Sequence, residues 1–259
     1  MATSITHAPG SFCWFELGTT DQNAAKRFYA SVAGWTAMDF PMGPDAVYTM
    51  FTLEGCNAGA CYTLDAEMLS QGVPPNWMLY VAVADADETA GKVAAAGGKV
   101  AAPPFDVMDF GRMAACQDPS GAAFAIWQPR THPGTGIQDV PGTFCWADLM
   151  TSDPSGSGKF YRDVFGWLAE TGKDGSGYLH LKNGDRHIGG IPPAEHLNPN
   201  SPPHWLLYLL VEDCDAATAK AAELGARVYA APMSMEGVGR WSVIADPQGA
   251  VLALFQAGR

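Results

Sequence analysis

Hydrophobic and polar positions follow two different periods along the first part of the chain. The segment SFCWFEL at 11–17 alternates and is rich in aromatic residues, which predicts a β-strand. Apolar residues then recur at the spacing of one helical face: Ala25, Phe28, Tyr29 and Val32. Asp21 is placed to cap the start of this helix and Gly34 to end it. Short strands are predicted next, near 46–53 and 57–63.

The following part of the chain gives the same order again. The apolar run WMLYVAVAD at 77–85 predicts a buried strand, and the Ala-rich segment at 86–98 predicts a helix that stops at two glycines. Three more strands are predicted from KVAAPPF, GRMAACQD and AAFAIWQ, the last two joined by the turn DPSG. This half of the chain therefore has the order βαβββ twice.

The whole pattern is repeated in the second half of the chain. Residues 9–35 match residues 141–167 without a gap, and residues 74–128 match residues 202–256. The identical pairs include Trp14/Trp146, Asp21/Asp153, Phe28/Phe160, Tyr29/Tyr161 and Trp35/Trp167. A repeat of this length indicates duplicated domains rather than a solenoid. We predict an α+β protein of four βαβββ modules in two tandem domains, 9–128 and 141–256, joined by a linker at 129–140.

Composition and charge restrict the partners of these domains. The chain has 259 residues, 47% of them hydrophobic, and a net charge of −12 with only 15 Lys and Arg. Nucleic-acid binding requires clustered basic residues, so nucleic acid and anionic membranes are not expected as partners. The N-terminus shows no signal peptide, and the apolar runs have the length of strands, so we expect a cytoplasmic protein. The six Cys are not paired as CxxC and are expected to be small buried residues.

Three segments of each half carry a family resemblance. They are TTDQNAAKRFYASVAGW, YVAVADADETAGKVAAAGGKV and DPSGAAFAIWQ, with second-half partners TSDPSGSGKFYRDVFGW, YLLVEDCDAATAKAAELGARV and DPQGAVLALFQ. In this order the chain resembles the vicinal oxygen chelate superfamily, which includes glyoxalase I, bleomycin-resistance proteins and extradiol dioxygenases. The resemblance implies that paired modules form U-shaped mixed sheets. It also implies a divalent metal on the concave side, which would act as a Lewis acid.

The metal positions that the resemblance implies carry no metal ligands in this sequence. They fall on Trp14, Met78 and Ala125 in the first domain and on Trp146, Leu206 and Ala253 in the second. None of these side chains suits a divalent ion such as Zn²⁺ or Mn²⁺. We therefore expect no cofactor, with an aromatic wall where the family has its metal. A shifted metal site on His180, His187 and His204 is an alternative.

An acidic residue follows each of the two leading tryptophans. Because residues two apart on a strand share a face, Glu16 should lie beside Trp14, and Asp148 beside Trp146. Either acid is a candidate general base whose pKa an apolar pocket would raise. Alternatively, it pairs with an Arg or faces solvent at the rim.

Several other side chains are candidates for contact with a ligand. Arg112 and Arg240 match in the two halves and would hold a carboxylate or enolate oxygen, or else satisfy the acids or cap a turn. The remaining ligand-binding candidates are Asn76, which corresponds to His204, the family-position residues Trp14, Met78 and Trp146, and the aromatic residues Phe105 and Trp127.

Three functions follow from these residues and the resemblance. The first is a metal-independent protein that binds an aromatic or amphipathic small molecule in a Trp-lined cup, with the first domain favoured as the site. The second is a glyoxalase-type lyase or isomerase for an α-oxo or 2-hydroxy carbonyl compound, such as a detoxification enzyme. It would use Glu16 or Asp148 as base and Arg112 or Arg240 as anion clamp. The third is a non-catalytic scaffold. The duplication predicts either a monomer with an internal pseudo-dimer or a homodimer.

Overall fold

Two eight-stranded mixed sheets contain the strands of this protein. The computed structural model describes residues 5–44, 46–172, 175–198 and 200–258. The first sheet consists of β1 (Phe12–Thr19), β2 (Thr36–Pro41), β3 (Val47–Leu53), β4 (Cys56–Thr63), β5 (Asn76–Ala82), β6 (Lys99–Val107), β7 (Gly111–Gln117) and β8 (Ala123–Pro129). The second consists of β9 (Phe144–Met150), β10 (Leu168–Thr171), β11 (Leu179–Asn183), β12 (Arg186–Ile191), β13 (His204–Leu210), β14 (Arg227–Met235), β15 (Gly239–Ala245) and β16 (Val251–Ala257).

The two sheets have the same topology. The first has the strand order β2-β3-β4-β1-β5-β8-β7-β6, and the second repeats it with β10-β11-β12-β9-β13-β16-β15-β14. In the first sheet β1 is parallel to β4 and β5 to β8, while the other neighbours are antiparallel. The predicted α+β fold of four βαβββ modules in two tandem domains is confirmed. The sheets cover residues 12–129 and 144–257, and the predicted linker begins at the last residue of β8.

Helices cover one face of each sheet, and these two faces share one core. In the described ranges the α-helices are α1 (Gln22–Val32), α2 (Ala66–Ser70), α3 (Ala86–Ala95), α4 (Pro154–Phe165) and α5 (Cys214–Glu223), and Ala194–His196 form a short 3₁₀ helix. The five-residue helix α2 buries no residue. Asp21 and Asp153 accept hydrogen bonds at the starts of α1 and α4, as the sequence predicts. Helix α1 packs against α5, and α3 against α4, so buried residues of both domains form one apolar cluster. In the described part of the chain, the opposite face of each sheet carries no helix. We call this face of the first sheet, which carries Trp14 and Glu16, the first cup, and this face of the second sheet, which carries Trp146 and Asp148, the second cup.

The repeated tryptophans at the end of each GW pair bind one domain to the other. The indole of Trp35 donates a hydrogen bond to the carbonyl of Gly142 at 2.7 Å, and the indole of Trp167 donates to the carbonyl of Gly10 at 2.8 Å. Both indoles are almost completely buried. Each domain therefore uses the same repeated Trp to form a hydrogen bond to the other domain.

The repeated tyrosines form a second pair of reciprocal contacts. The hydroxyl of Tyr29 donates to Asp246 at 3.1 Å, and that of Tyr161 donates to Asp118 at 3.3 Å. The two acids begin the DPSG and DPQG turns, where they also accept backbone N–H groups. The FY and GW pairs are thus explained by the interface between the domains.

Two further sequence expectations concern the cysteines and the membrane. All six Cys are free, and four of them are buried, namely Cys13, Cys61, Cys116 and Cys214. No helix within the described ranges has the length and the apolar character needed to cross a membrane.

Candidate functional site

The floor of the first cup is formed by β1, β4 and β5. On this face the register places Glu16 between Ala60 and Met78, and Trp14 beside Tyr80. An apolar cluster separate from the main core surrounds them, including Trp14, Ala60, Tyr80, Ala125 and Trp127. The alternation of β1 therefore brings Trp14 and Glu16 to the same face, as the sequence predicts.

Two tyrosines hold the carboxyl group of Glu16. The hydroxyl of Tyr48 donates to one oxygen at 2.6 Å, and the hydroxyl of Tyr80 donates to the other at 2.7 Å. The indole of Trp14 donates to the Tyr48 hydroxyl at 3.2 Å. Burial raises the pKa of Glu16, and the two tyrosine hydrogen bonds oppose that rise because they stabilise the carboxylate.

The second cup contains the same arrangement around Asp148. Its carboxyl accepts hydrogen bonds from Tyr178 at 2.5 Å, from Tyr208 at 2.8 Å and from the indole of Trp146 at 3.0 Å. Only 6% of Asp148 is exposed. Burial raises the pKa of this carboxyl, against the effect of the three hydrogen bonds and of nearby His180.

The tyrosines are the residues that the sequence reasoning missed. Tyr80 and Tyr208 occupy matching positions in the two halves. Tyr48 is the second residue of β3, and Tyr178 directly precedes the matching strand β11. The occurrence of Tyr at matching positions in both halves is the signal from which the sequence could have identified these residues. The structure pairs the acids with these tyrosines rather than with an Arg or with solvent at the rim. Whether Glu16 or Asp148 acts as a base stays a prediction.

The structure places Arg112 and Arg240 away from the two acids, and contact of either Arg with a ligand stays a prediction. Arg112 forms a bidentate ion pair with Asp87, at 2.7 and 2.9 Å, at the start of α3. Arg240 pairs with Asp215 of α5 in the same way. Both guanidinium groups therefore lie on the helix-covered faces. The reason is strand alternation, since Met113, next to Arg112 on β7, packs into the first cup instead.

The other predicted ligand contacts occupy different depths of the cups. Trp127 is buried in the floor, whereas Phe105 is 46% exposed on the rim. Met78 lies beside Glu16. Asn76 and His204 begin β5 and β13, on the cup faces, and each bonds a nearby backbone carbonyl, that of Pro74 and that of Pro202.

The cup residues do not fit a divalent metal. The family positions are apolar side chains within the sheet, and Ala125 and Ala253 are almost fully buried beside Tyr80 and Tyr208. Among the described residues, no group of three or more His, Cys, Asp or Glu has a geometry that could hold a metal ion. The alternative site on three histidines is not formed. His180 and His187 are 5.4 Å apart between ring centroids, but His204 lies on β13, beyond β12 and β9.

A glycine gives the Tyr178 hydroxyl its place over the sheet. Gly190 lies between His180 and Asp148, and an added Cβ would overlap Tyr178. We expect Gly190→Ala to move Tyr178 off Asp148. Because that hydrogen bond lowers the carboxyl pKa, the pKa of Asp148 should rise further, as measured by ¹³C NMR titration of the carboxyl. Gly91→Ala, at a helical glycine with open space around it, is the control. Equal Asp148 titrations in the two variants would contradict the contact.

Comparison with known sequences gives one family across both halves. The model of the Glyoxalase/Bleomycin resistance protein/Dioxygenase superfamily matches residues 11–126 and 143–254. The protein named "Putative glyoxylase CFP32" of Mycobacterium tuberculosis is 41% identical over 94% of this chain and 93% of its own length. The anthracycline biosynthesis protein DnrV of Streptomyces peucetius is 35% identical over 96% of this chain and 94% of its own.

Solved structures share the fold at lower identity. The Mn(II)-bound glyoxalase from Novosphingobium aromaticivorans superposes with a TM-score of 0.65 at 20% identity, covering 96% of this chain and 82% of that one. The 2,3-dioxygenase LapB from Pseudomonas sp. KL28 gives a TM-score of 0.65 at 15% identity, covering 98% and 94%. At such identities the likeness concerns the fold alone.

Proposed function

The chain belongs to the Glyoxalase/Bleomycin resistance protein/Dioxygenase superfamily, and from this premise we propose that it binds a planar, hydroxylated aromatic small molecule in a cup lined by Trp and Tyr. The binding relies on hydrogen bonds and aromatic contacts rather than on a metal at the family position. A non-covalent site of this kind needs an apolar wall and a few fixed polar groups.

One observation carries the proposal. Each cup holds a carboxyl group whose oxygens are bound by two tyrosine hydroxyls, with an indole beside them. A carboxyl that is bound in this way fixes the tyrosines. The hydroxyls of Tyr48 and Tyr178 already accept a hydrogen bond from an indole, so the oxygens of Tyr80 and Tyr208 are the better acceptors for a ligand hydroxyl. The neighbouring indole offers a flat apolar surface to an aromatic ring.

The names of the relatives support the same chemistry. DauV and DnrV, both 35% identical to this chain, are named for anthracycline biosynthesis. Anthracyclines are planar polycyclic compounds that carry hydroxyl and carbonyl oxygens. A site of tyrosines, a carboxyl and tryptophans suits that class of ligand.

A glyoxalase-type lyase or isomerase is the second candidate, and the environment of Asp148 favours it. Burial raises the pKa of this carboxyl, and His180 lies near enough to act on its charge. A carboxyl with a raised pKa is suited to abstract a proton next to a carbonyl group. Once Asp148 holds that proton, the hydroxyls of Tyr178 and Tyr208, which donate to the carboxylate at rest, can turn to donate to the enolate oxygen. Arg112 and Arg240 have no role in this proposed reaction.

Two measurements separate these functions. Native mass spectrometry with 1,8-dihydroxyanthraquinone should show a complex, and the same probe should quench the Trp fluorescence. Proton exchange of hydroxyacetone in D₂O, followed by ¹H NMR, tests for a general base, and exchange that is lost in Asp148→Asn would favour the enzyme. If the protein neither binds the probe nor catalyses exchange, the binding proposal fails and the scaffold is favoured.

A further inference from the structure

The equivalent aromatic residues of the two cups differ in exposure. In the first cup Trp14, Tyr80 and Trp127 are all buried, with 4 to 5% of each exposed. Their counterparts in the second cup, Trp146, Tyr208 and Phe255, are all partly exposed. A ligand therefore finds accessible aromatic surface on the floor of the second cup, whereas the exposed aromatic side chains of the first cup, Phe40 and Phe105, lie on its edge strands β2 and β6.

The segment between the domains covers the aromatic floor of the first cup. The imidazole of His132 packs edge-to-face on Trp14, with ring centroids 4.6 Å apart, and its backbone carbonyl accepts a hydrogen bond from the indole of Trp127 at 2.9 Å. Both tryptophans thus contact the chain itself, at the surface where a ligand ring would stack.

Backbone hydrogen bonds attach this segment to the end of the first sheet. The N–H of Thr135 donates to the carbonyl of Cys13 at 2.8 Å, and the N–H of Gly136 donates to the carbonyl of Asn57 at 2.8 Å. Gly134 lies so close to the Cys13 carbonyl that a Cβ would not fit. The ring of His7 contacts the Thr135 carbonyl at 3.0 Å from the other side. The cover is therefore a packed part of the fold.

The walls of the two cups also differ in chemistry. In the second sheet Glu170, His180, Gly190 and Asp148 are neighbours across four strands, so their side chains share the cup face. In the first sheet the same positions are Met38, Met50, Ala60 and Glu16. The second cup thus has a polar wall where the first has methionines.

Two imidazoles stand together on that polar wall. The rings of His180 and His187 have centroids 5.4 Å apart, and Tyr178 packs edge-to-face on His180 at 4.9 Å. Lys182 and Glu170 form an ion pair at 3.4 Å next to them. Each imidazole offers one donor and one acceptor when it is neutral, so the pair can bind two neighbouring oxygens, one hydroxyl and one carbonyl.

We infer that the second cup is the ligand site and that His180 and His187 recognise adjacent hydroxyl and carbonyl oxygens on the aromatic ligand, while the first cup is closed by residues 132–136. This inference rests on the proposed function and gives it a location and a ligand class. It differs from the expectation from the sequence, which favours the first domain. Methionines at the first-cup positions offer no hydrogen bonds, so the two cups are not interchangeable.

The test exchanges the wall residues between the cups. The probes are 1,8-dihydroxyanthraquinone and its dimethyl ether, which lacks the hydroxyl protons, and affinities are measured by calorimetry. We expect one dihydroxy probe per chain. His180→Met, which copies the first cup, should weaken that probe at least tenfold and change the dimethyl ether less than twofold. Met50→His, the reciprocal variant, should change neither.

Hydrogen–deuterium exchange shows independently in which cup the probe binds. Bound probe should protect β11 and β12 but not the matching strands β3 and β4. Protection of β3 and β4, two probes per chain, or full affinity in His180→Met would overturn the inference and leave the proposed function intact. Absence of binding by the parent protein would overturn both. If both variants unfold at temperatures near that of the parent protein, a loss of affinity does not result from a loss of folding.

Discussion

Replacing Trp167 with Ala is expected to lower the free energy of unfolding by about 3–5 kcal/mol, the range of large-to-small changes at buried aromatic sites. Trp167 is fully buried. Its ring stacks on Tyr161 at 5.2 Å and meets Phe12 of the other domain at 5.5 Å. The variant also leaves the Gly10 carbonyl without its indole donor. Urea unfolding followed by circular dichroism measures the loss.

Two matched variants make this result specific to the interface. Trp35→Ala, at the equivalent position of the first domain, should lose a similar free energy because its indole bonds Gly142 in the same way. Trp241→Ala, at a partly exposed position in the second cup, should lose clearly less. If Trp167→Ala lowered the free energy of unfolding no more than Trp241→Ala does, the reciprocal contacts between the domains would not be a main source of stability.

Asp148→Asn is expected to weaken binding of 1,8-dihydroxyanthraquinone about tenfold or more. Binding falls because the carboxylate fixes the hydroxyls of Tyr178 and Tyr208, and hydrogen bonds to a charged group contribute about 1.5–3 kcal/mol. The amide also turns an N–H₂ group toward one of the donors that the carboxyl accepts, so the hydrogen bonds from Tyr178, Tyr208 and the Trp146 indole cannot all be kept.

The raised pKa of Asp148 determines how the stability of the protein changes with pH. Between the ordinary pKa of an Asp and the raised value, the native state holds the Asp148 proton while the unfolded chain has released it. Stability therefore falls as pH rises through that window and stays lower above it. In Asp148→Asn this contribution disappears, so the difference in unfolding temperature between variant and parent should grow from acid to neutral pH.

Glu16→Gln is the control in the first cup. Burial raises its pKa as well, so the stability of the variant relative to the parent should also increase from acid to neutral pH, while its affinity for the probe should equal that of the parent. If Asp148→Asn kept full affinity, or if the dimethyl ether lost as much affinity as the dihydroxy probe, the positioning role of Asp148 would be wrong.

Much of the fold could be predicted from the sequence because its signals are local. The alternation of SFCWFEL, the spacing of Phe28 and Tyr29 and the Asp caps define strands and helices within a few residues. The repeat then defines two equal domains. The resemblance supplied the arrangement of the sheets, which periodicity alone does not give.

The candidate site could be predicted only in part. That Trp14 and Glu16 share a face follows from the two-residue period of a strand. The partner of Arg112 could not be predicted because the side of the sheet that it faces depends on which residues of β7 pack under α3. The tyrosines come from β3 and β5, and their meeting at Glu16 depends on strand order, since β4 separates β3 from β1.

The sequence by itself determined the modules, their duplication and the absence of ligand side chains at the family metal positions, because these are properties of residue type and spacing. Only the tertiary structure decided what the repeated FY and GW pairs do, which groups hold the two acids, and that residues 132–136 cover one cup and not the other. Those features join residues up to 217 positions apart, as Tyr29 and Asp246 are. Contacts over such separations arise from the way in which the two sheets pack together.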